Sequence, residues 1–364
     1  MEQTELIYKR TFGLVPFAYT IVEKWLYFCD QQTPGLFRYH LETEESECIA
    51  KFNINYVNWN FFKIVAHKDD LWMLPFFDGK IVCFNRKTQA IFYYDISPEV
   101  QEKTIPFIDV IFSEEAALFI PHGSNRFLIK VDLLTHDVQK IELLKGSDKE
   151  KQIFFTGAIR VENKIYLTEH SKRILVVFHM FSKQIETIHI DSYSLENIFL
   201  TEIENKLYFF PVIVSEGQKV LIYDINNDYF IEKEYPIKRL PQKETCIPVL
   251  FNRKIWILAN KQRKIYRINE NLEIESEISI LNFNKENIEI YISGLAFDDR
   301  FFWNGFNEAP LIEGKDDTVR ILDVNKQKNI LEIYMDMIET GGIHEGKQNR
   351  LGIGEEIYKK VIAM

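Results

Sequence analysis

Glycine is scarce in this chain, 15 in 364 residues, and so are cysteine, with 4, and methionine, with 6. The four cysteines, Cys29, Cys48, Cys83 and Cys246, fall in no CxxC or CxxH pairing, which argues against both a disulfide framework and a zinc site. They read as reduced, structural thiols. Long apolar runs are also missing: no segment offers the roughly eighteen consecutive apolar residues of a bilayer span, and the opening MEQTELIYKRTFGL lacks the apolar core of a signal peptide. The expected setting is therefore the cytoplasm. An excess of positive charge is absent as well. A formal net charge of -10 disfavours general attraction to phosphate backbones or anionic lipid, so neither nucleic acid nor membrane is an expected partner. The chain contains no P-loop, no GxGxxG turn after a strand and no GxSxG elbow, which removes nucleotide-binding and serine-hydrolase readings.

What remains is ample material for a core, 46% hydrophobic and 14% aromatic residues, with 27% charged. Plentiful Ile, Lys, Asn and Phe beside little Gly suit an AT-rich bacterial genome. Short alternating or β-branched runs recur between Asn, Asp, Gly and Lys turns, and almost nothing before the C-terminus has helical periodicity. The chain reads as all-β.

The strands repeat. Seven apolar segments, WLYFCD, LWMLP, ALFIP, KIYLTE, KLYFFP, KIWILA and RFFWNG, place Tyr27, Trp72, Leu118, Tyr166, Tyr208, Trp256 and Phe302 in one column, with steps of 45, 46, 48, 42, 48 and 46 residues. A second column, in the turn after the following strand, holds His40, Asn85, Asp132, His179, Asp224, Asn269 and Asp323, with steps of 45, 47, 47, 45, 45 and 54. Asp, Asn and His suit tight turns because their side chains hydrogen-bond nearby backbone. A period in the mid-forties with four strands per unit is that of a propeller blade. The sequence thus predicts a seven-bladed β-propeller of four-stranded antiparallel blades over residues 1–335, with blades near 14–52, 58–96, 106–143, 153–190, 197–235, 245–280 and 290–335. Residues 336–364 read as a glycine-rich linker and a short C-terminal helix. With strands A to D running from channel to edge, the B–C loops and D–A connections share one rim, and the A–B and C–D turns share the other.

Phrases such as KLYFFP followed by KVLIYDINNDYFIEKE resemble the seven-bladed propellers with Kelch-like, YVTN-like and streptogramin-lyase-like repeats, though the Kelch double glycine and a regular Trp-Asp are absent. KIYLTEHSKRILVV is similar to the repeat phrase of streptogramin lyases, which implies a metal-assisted eliminating enzyme; the other six repeats depart from it.

The loops PHGSNR and TEHSKR of blades three and four bring His122, Ser124, Asn125, Arg126, Glu169, His170, Lys172 and Arg173 to the functional rim. If the protein is an enzyme, His122, Glu169 and His170 are the candidate acid and base, with Arg and Lys holding an anionic substrate. Simple solvated polar loops are the other reading. No recognised ligand spacing joins these residues, so no metal and no cofactor is expected. Further round the rim, Trp59, Asn60, Phe76, Phe77, Asp78, Asp109, Asn260, Arg263, Asn304, Asn307 and Glu308 suit a ligand surface of rings and polar groups, or packing between blades. His40 and His179 belong to the turn column and His136 to the neighbouring turn. In the tail, Ile357, Val361 and Ile362 form one apolar side, flanked by Glu355 and Glu356 before and Lys359 and Lys360 after. The expected function is a cytoplasmic propeller that binds a peptide, protein or glycan through its B–C and D–A face. The alternatives are a lyase or hydrolase at the channel mouth, or a structural subunit docked by its C-terminal helix.

Overall fold

The computed structural model describes residues 14, 16–30, 33–54, 61–76, 80–96, 106–123, 125–144, 153–190, 198–238, 240, 243–280, 291–305, 311–315 and 318–325. The C-terminal segment and the N-terminal ELIYKR lie outside them. Seven antiparallel sheets follow one another along the chain, over residues 16–51, 61–95, 107–142, 155–189, 198–234, 244–279 and 291–322. Each is built A-B-C-D in sequence order, as in blade one with Pro16–Val22, Trp25–Asp30, Gly35–His40 and Ser46–Lys51. The A strand of each blade from one to six touches the A strand of the next, which sets the A strands around the central axis. The protein is a seven-bladed β-propeller.

The aromatic column explains why the blades assemble. Side chains alternate across a strand, so each B strand offers one row to the preceding blade and one to the following blade. Tyr27 packs with Leu71 and Met73 of blade two, whereas its neighbour Phe28 packs with Phe302 and Leu311 of blade seven. Trp72 joins Phe107 and Phe119 of blade three, and Trp256 joins Phe301 and Trp303 of blade seven. Leu118, Tyr166, Tyr208 and Phe302 face their following blades in the same way. The core is thus seven inter-blade wedges rather than one central mass.

The polar column forms the turns. Asn85 Oδ1 accepts from Lys87 N at 3.1 Å and Thr88 N at 2.9 Å, and Asp132 Oδ1 accepts from Leu134 N at 2.9 Å and Thr135 N at 2.8 Å. Asp224 repeats this pattern and His40 makes it with Nδ1, whereas Asn269 Oδ1 accepts from Asn271 N and Glu273 N in a turn one residue shorter. The left-handed positions that close these turns carry Glu44, Gln89, His136, Lys183 and Asp228 rather than glycine. Local side-chain bonds therefore hold backbone that glycine would adopt freely. Blade seven breaks the register. Its C strand is Leu311–Lys315 and its D strand Thr318–Leu322, so Asp323 follows strand D instead of sitting in the C–D turn. The 54-residue last step of the column is the trace of that shift.

Side chains join blade seven to blade one. Tyr19 Oη donates to Phe302 O at 3.1 Å, Ser46 Oγ to Val324 O at 2.7 Å, and the Asn325 amide exchanges two bonds with the backbone of Leu14. Glu313, buried, lies between Arg300 at 2.7 Å and Arg320, whose guanidinium reaches Leu41 O at 3.1 Å.

Candidate functional site

The rim of B–C loops is organised by buried carboxylates. In blade four, Glu169 ends strand B with no solvent exposure, and its oxygens accept from Phe154 N at 2.7 Å, Ser171 N at 3.1 Å and Lys172 N at 2.6 Å. In blade six, Glu244 begins strand A, equally buried, and accepts from Thr245 N at 3.0 Å, Lys261 N at 2.8 Å and Gln262 N at 3.2 Å. The two loops are otherwise the same object. His170 N donates to Phe154 O as Asn260 N donates to Thr245 O, and Arg173 N to His170 O as Arg263 N to Asn260 O. Arg173 and Arg263 both take left-handed backbone, with φ of 54 and 53 degrees. A carboxylate that satisfies three backbone donors fixes a loop that would otherwise leave buried N–H groups unpaired.

Neighbouring blades are stitched at the same rim. Gly123, in the blade-three loop, exchanges two 2.9 Å backbone bonds with Phe155 at the start of blade four. Val212 to Val214, in the blade-five loop, pair with the first strand of blade six and add a short fifth strand to it. Gly123 has a φ of 60 degrees, a conformation that suits glycine at this crossing.

The structure brings the loops of His122 and of Glu169 and His170 onto one segment. The His122 ring meets Phe154 edge-on at 6.0 Å, Phe154 N donates to Glu169, and Phe154 O accepts from His170 N. His170 Nδ1 is buried without a hydrogen-bond partner. Both Glu169 oxygens are engaged by backbone N–H groups. Asn125 likewise bonds Pro106 O and accepts from Phe127 N. Arg126 pairs with Glu142 at 3.6 Å and lies over the Phe127 ring. Asn260 donates to Thr245 O, and Asn304, buried, donates to the carbonyls of Pro16 and Phe17 across the ring closure. Phe76 is buried against Phe17 and Phe62, packing between blades one and two. Lys172, Arg173 and Arg263 stand on the twin loops. Trp59, Asn60, Phe77, Asp78, Ser124, Asn307 and Glu308 lie outside the described residues.

Asp109 belongs elsewhere. Its carboxylate receives Lys63 Nζ at 2.7 Å, linking the A strands of blades two and three, and accepts from Val110 N. Both residues line a channel cavity of about 590 Å³ with Thr20, Ile64, Val65, Ala66, Lys68, Leu295 and Phe297, on the A–B side of the molecule. Sequence reading missed Lys63, Phe154 and Glu244. Aligning the blade-six loop on the blade-four loop, 90 residues apart, would have exposed the missing carboxylate at Ala259 and prompted a search for its substitute.

Burial pushes the thiol of Cys48 up to about 11 and that of Cys246 to about 12, and it raises Cys29 and Cys83 too. None is a poised nucleophile. Among the described residues, no cluster of three His, Cys, Asp or Glu side chains could hold a metal ion. No helix among them is long and apolar enough to cross a membrane.

No family model and no curated protein matches the chain. Solved propellers do. The β-propeller domain of Myceliophteria thermophila Cps50 (Swd1) superposes with a TM-score of 0.59 at 9% identity, over 83% of this chain and 97% of that one. PorZ, a surface component of the type-IX secretion system of Porphyromonas gingivalis, gives 0.58 at 10% identity over 85% of this chain. The extracellular domain of the hybrid two component system BT4673 from B. thetaiotaomicron gives 0.55 at 14% identity over 84%. The chain spans 38% of the PorZ chain and 39% of the latter. At such identities the likeness is one of fold, and folds of this kind host many functions.

Proposed function

We propose that this propeller is a binding or scaffolding module whose B–C and D–A face docks a peptide, protein or glycan partner bearing negative charge. The observation that carries the reading is the pair of twin loops, which hold Lys172, Arg173, Lys261 and Arg263 on backbone fixed by Glu169 and Glu244. Because the buried carboxylates are turned inward to the loop amides, the side chains presented outward are cationic, in a chain whose net charge is -10. The opposite rim has the reverse character, with Glu23, Glu114, Glu115, Glu162 and Glu204 in its A–B turns. Preorganised donors on rigid loops bind with less ordering cost than mobile ones. An eliminating enzyme would need a carboxylate at this mouth able to exchange its proton with substrate, and Glu169 is committed to three backbone donors. A cytoplasmic setting belongs to the same proposal, since four free thiols suit a reducing compartment.

The test is the affinity for two probes, polyglutamate and polylysine, of the wild type and of the variant K172E/R173E/K261E/R263E. Polyglutamate should bind the wild type and bind the variant at least tenfold more weakly. Equal affinity for both proteins would remove this face as the binding surface.

A further inference from the structure

In the six blades whose column residue opens the C–D turn, the second residue after it stands at the tip, and in four of them it is polar: Glu42, Lys87, Asn226 and Asn271. In the adjacent blades three and four it is Leu134 and Phe181, which are 88% and 83% exposed. No other large apolar side chain among the described residues exceeds 46%. The turn itself does not require an apolar tip, because the same turn forms with Asn226 at this position in blade five. Nor are these tips loose. Leu134 N is bonded to Asp132 Oδ1, Leu133 N to Glu115 O, and Met180 N to Asn163 O, so each tip rests on the A–B turn of its own blade. Val138 and Ile185, the first residues of the two D strands, extend the apolar surface at 43% and 37% exposure.

The A–B turns beside the tips are acidic. The supporting A–B turns carry Glu114, Glu115 and Glu162, and Asp137 follows the blade-three tip. Backbone N–H groups of Thr135 and Leu134 hold the Asp132 carboxyl below its usual range, so it stays charged. On blade four, Arg160 donates to the carbonyls of Glu162 and Phe112, Lys164 follows the A–B turn, and Lys183 stands two residues beyond Phe181.

From this pairing of two rigid apolar tips with acidic turns, we propose that the C–D rim of blades three and four is a docking surface for a cationic amphipathic segment of a partner protein. The two tips enter its apolar side and the carboxylates meet its lysines or arginines. This surface faces away from the B–C rim, so the propeller has two docking faces of opposite charge and can hold two partners at once.

The test compares the wild type with L134N/F181N, a variant that places at both tips the residue already found in blades five and six. Two labelled synthetic helices serve as probes, one built of Leu and Lys and the other of Leu and Glu, with binding followed by fluorescence anisotropy. The Leu–Lys helix should bind the wild type at least tenfold more tightly than it binds L134N/F181N, and more tightly than the Leu–Glu helix binds the wild type. Equal binding of the Leu–Lys helix to wild type and L134N/F181N would overturn the proposal. So would equal binding of both helices to the wild type. A concentration-dependent dimer that L134N/F181N abolishes would assign the tips to a second copy of this chain instead, and would also overturn it.

Discussion

The carboxylate of Glu169 accepts a hydrogen bond of 2.7 Å from the backbone N–H of Phe154, fifteen positions back in the chain. The bond ties the end of strand B to the entry of strand A in the same blade, and the Phe154 ring reaches across to His122 of the neighbouring blade. Removing the carboxylate strands three backbone donors in a half-buried loop. Glu169→Ala should destabilise the protein by about 2–4 kcal/mol, and Glu169→Gln, which keeps one acceptor oxygen, by about half as much. Urea unfolding measures both. A change within about 0.5 kcal/mol for Glu169→Ala would release Glu169 from this structural role.

Glu244 gives the pH dependence of the second loop. Burial pushes its carboxyl above the usual glutamate range, against the three backbone donors of Lys261, Gln262 and Thr245, which pull it down. A raised value means that the folded protein holds the proton more tightly than the unfolded chain does. The stability it contributes is then full below the ordinary glutamate range and is lost as pH rises through the raised value. The stability of the wild type relative to Glu244→Gln should fall across that window and level off above it. A relative stability that climbs with pH there would mean that the loop amides, not burial, dominate.

Gly314 lies opposite Phe301 in the blade-seven sheet, and a methyl group on it would enter the Phe301 ring. That ring stacks on Trp256 with centroids 4.3 Å apart and meets Trp303 edge-on at 4.9 Å. Gly314→Ala should therefore displace Phe301, cost about 1–3 kcal/mol and change the tryptophan emission of the folded protein. Unchanged emission and unfolding midpoint would show that the ring can move aside.

The ring closure depends on the Asn304 amide, which donates to the carbonyls of Pro16 and Phe17. Asn304→Ala should cost about 1–3 kcal/mol, since it removes a buried donor from the carbonyls of Pro16 and Phe17. Hydrogen exchange should quicken at the first strand of blade one and stay as in the wild type at blade four. Uniform quickening across all blades would mean that closure is not a separable step.

How much of this was legible beforehand follows from where each interaction lies. Tyr27, Trp72 and their counterparts were legible because inter-blade packing demands a large side chain once per repeat, at one spacing. The turn column was legible for the same reason, until the short hairpin at Leu311–Lys315 and Thr318–Leu322 displaced Asp323. The site was less legible. His122, Glu169 and His170 each contact Phe154, through its ring, its N–H and its carbonyl, and the engagement of Glu169 by backbone N–H groups leaves no mark in the sequence. Glu244 escaped notice because it performs the task of Glu169 from a different strand. The Lys63–Asp109 pair joins two neighbouring blades at the channel wall, and no periodicity within a blade points to it. Arg173 and Arg263 looked like ordinary loop cations, because left-handed backbone at a non-glycine residue is imposed by surrounding bonds rather than by its own preference.

The claim on which the account rests is that fixed cations on the twin loops, and not the net charge, govern binding at the B–C rim. The salt dependence of polyglutamate affinity tests it most directly, because exposed charges are screened as ionic strength rises. Wild-type affinity should fall steeply between about 50 and 300 mM salt, and K172E/R173E/K261E/R263E should bind weakly with little dependence on salt. Binding that ignores salt in the wild type, or an equal slope in the variant, would contradict the account.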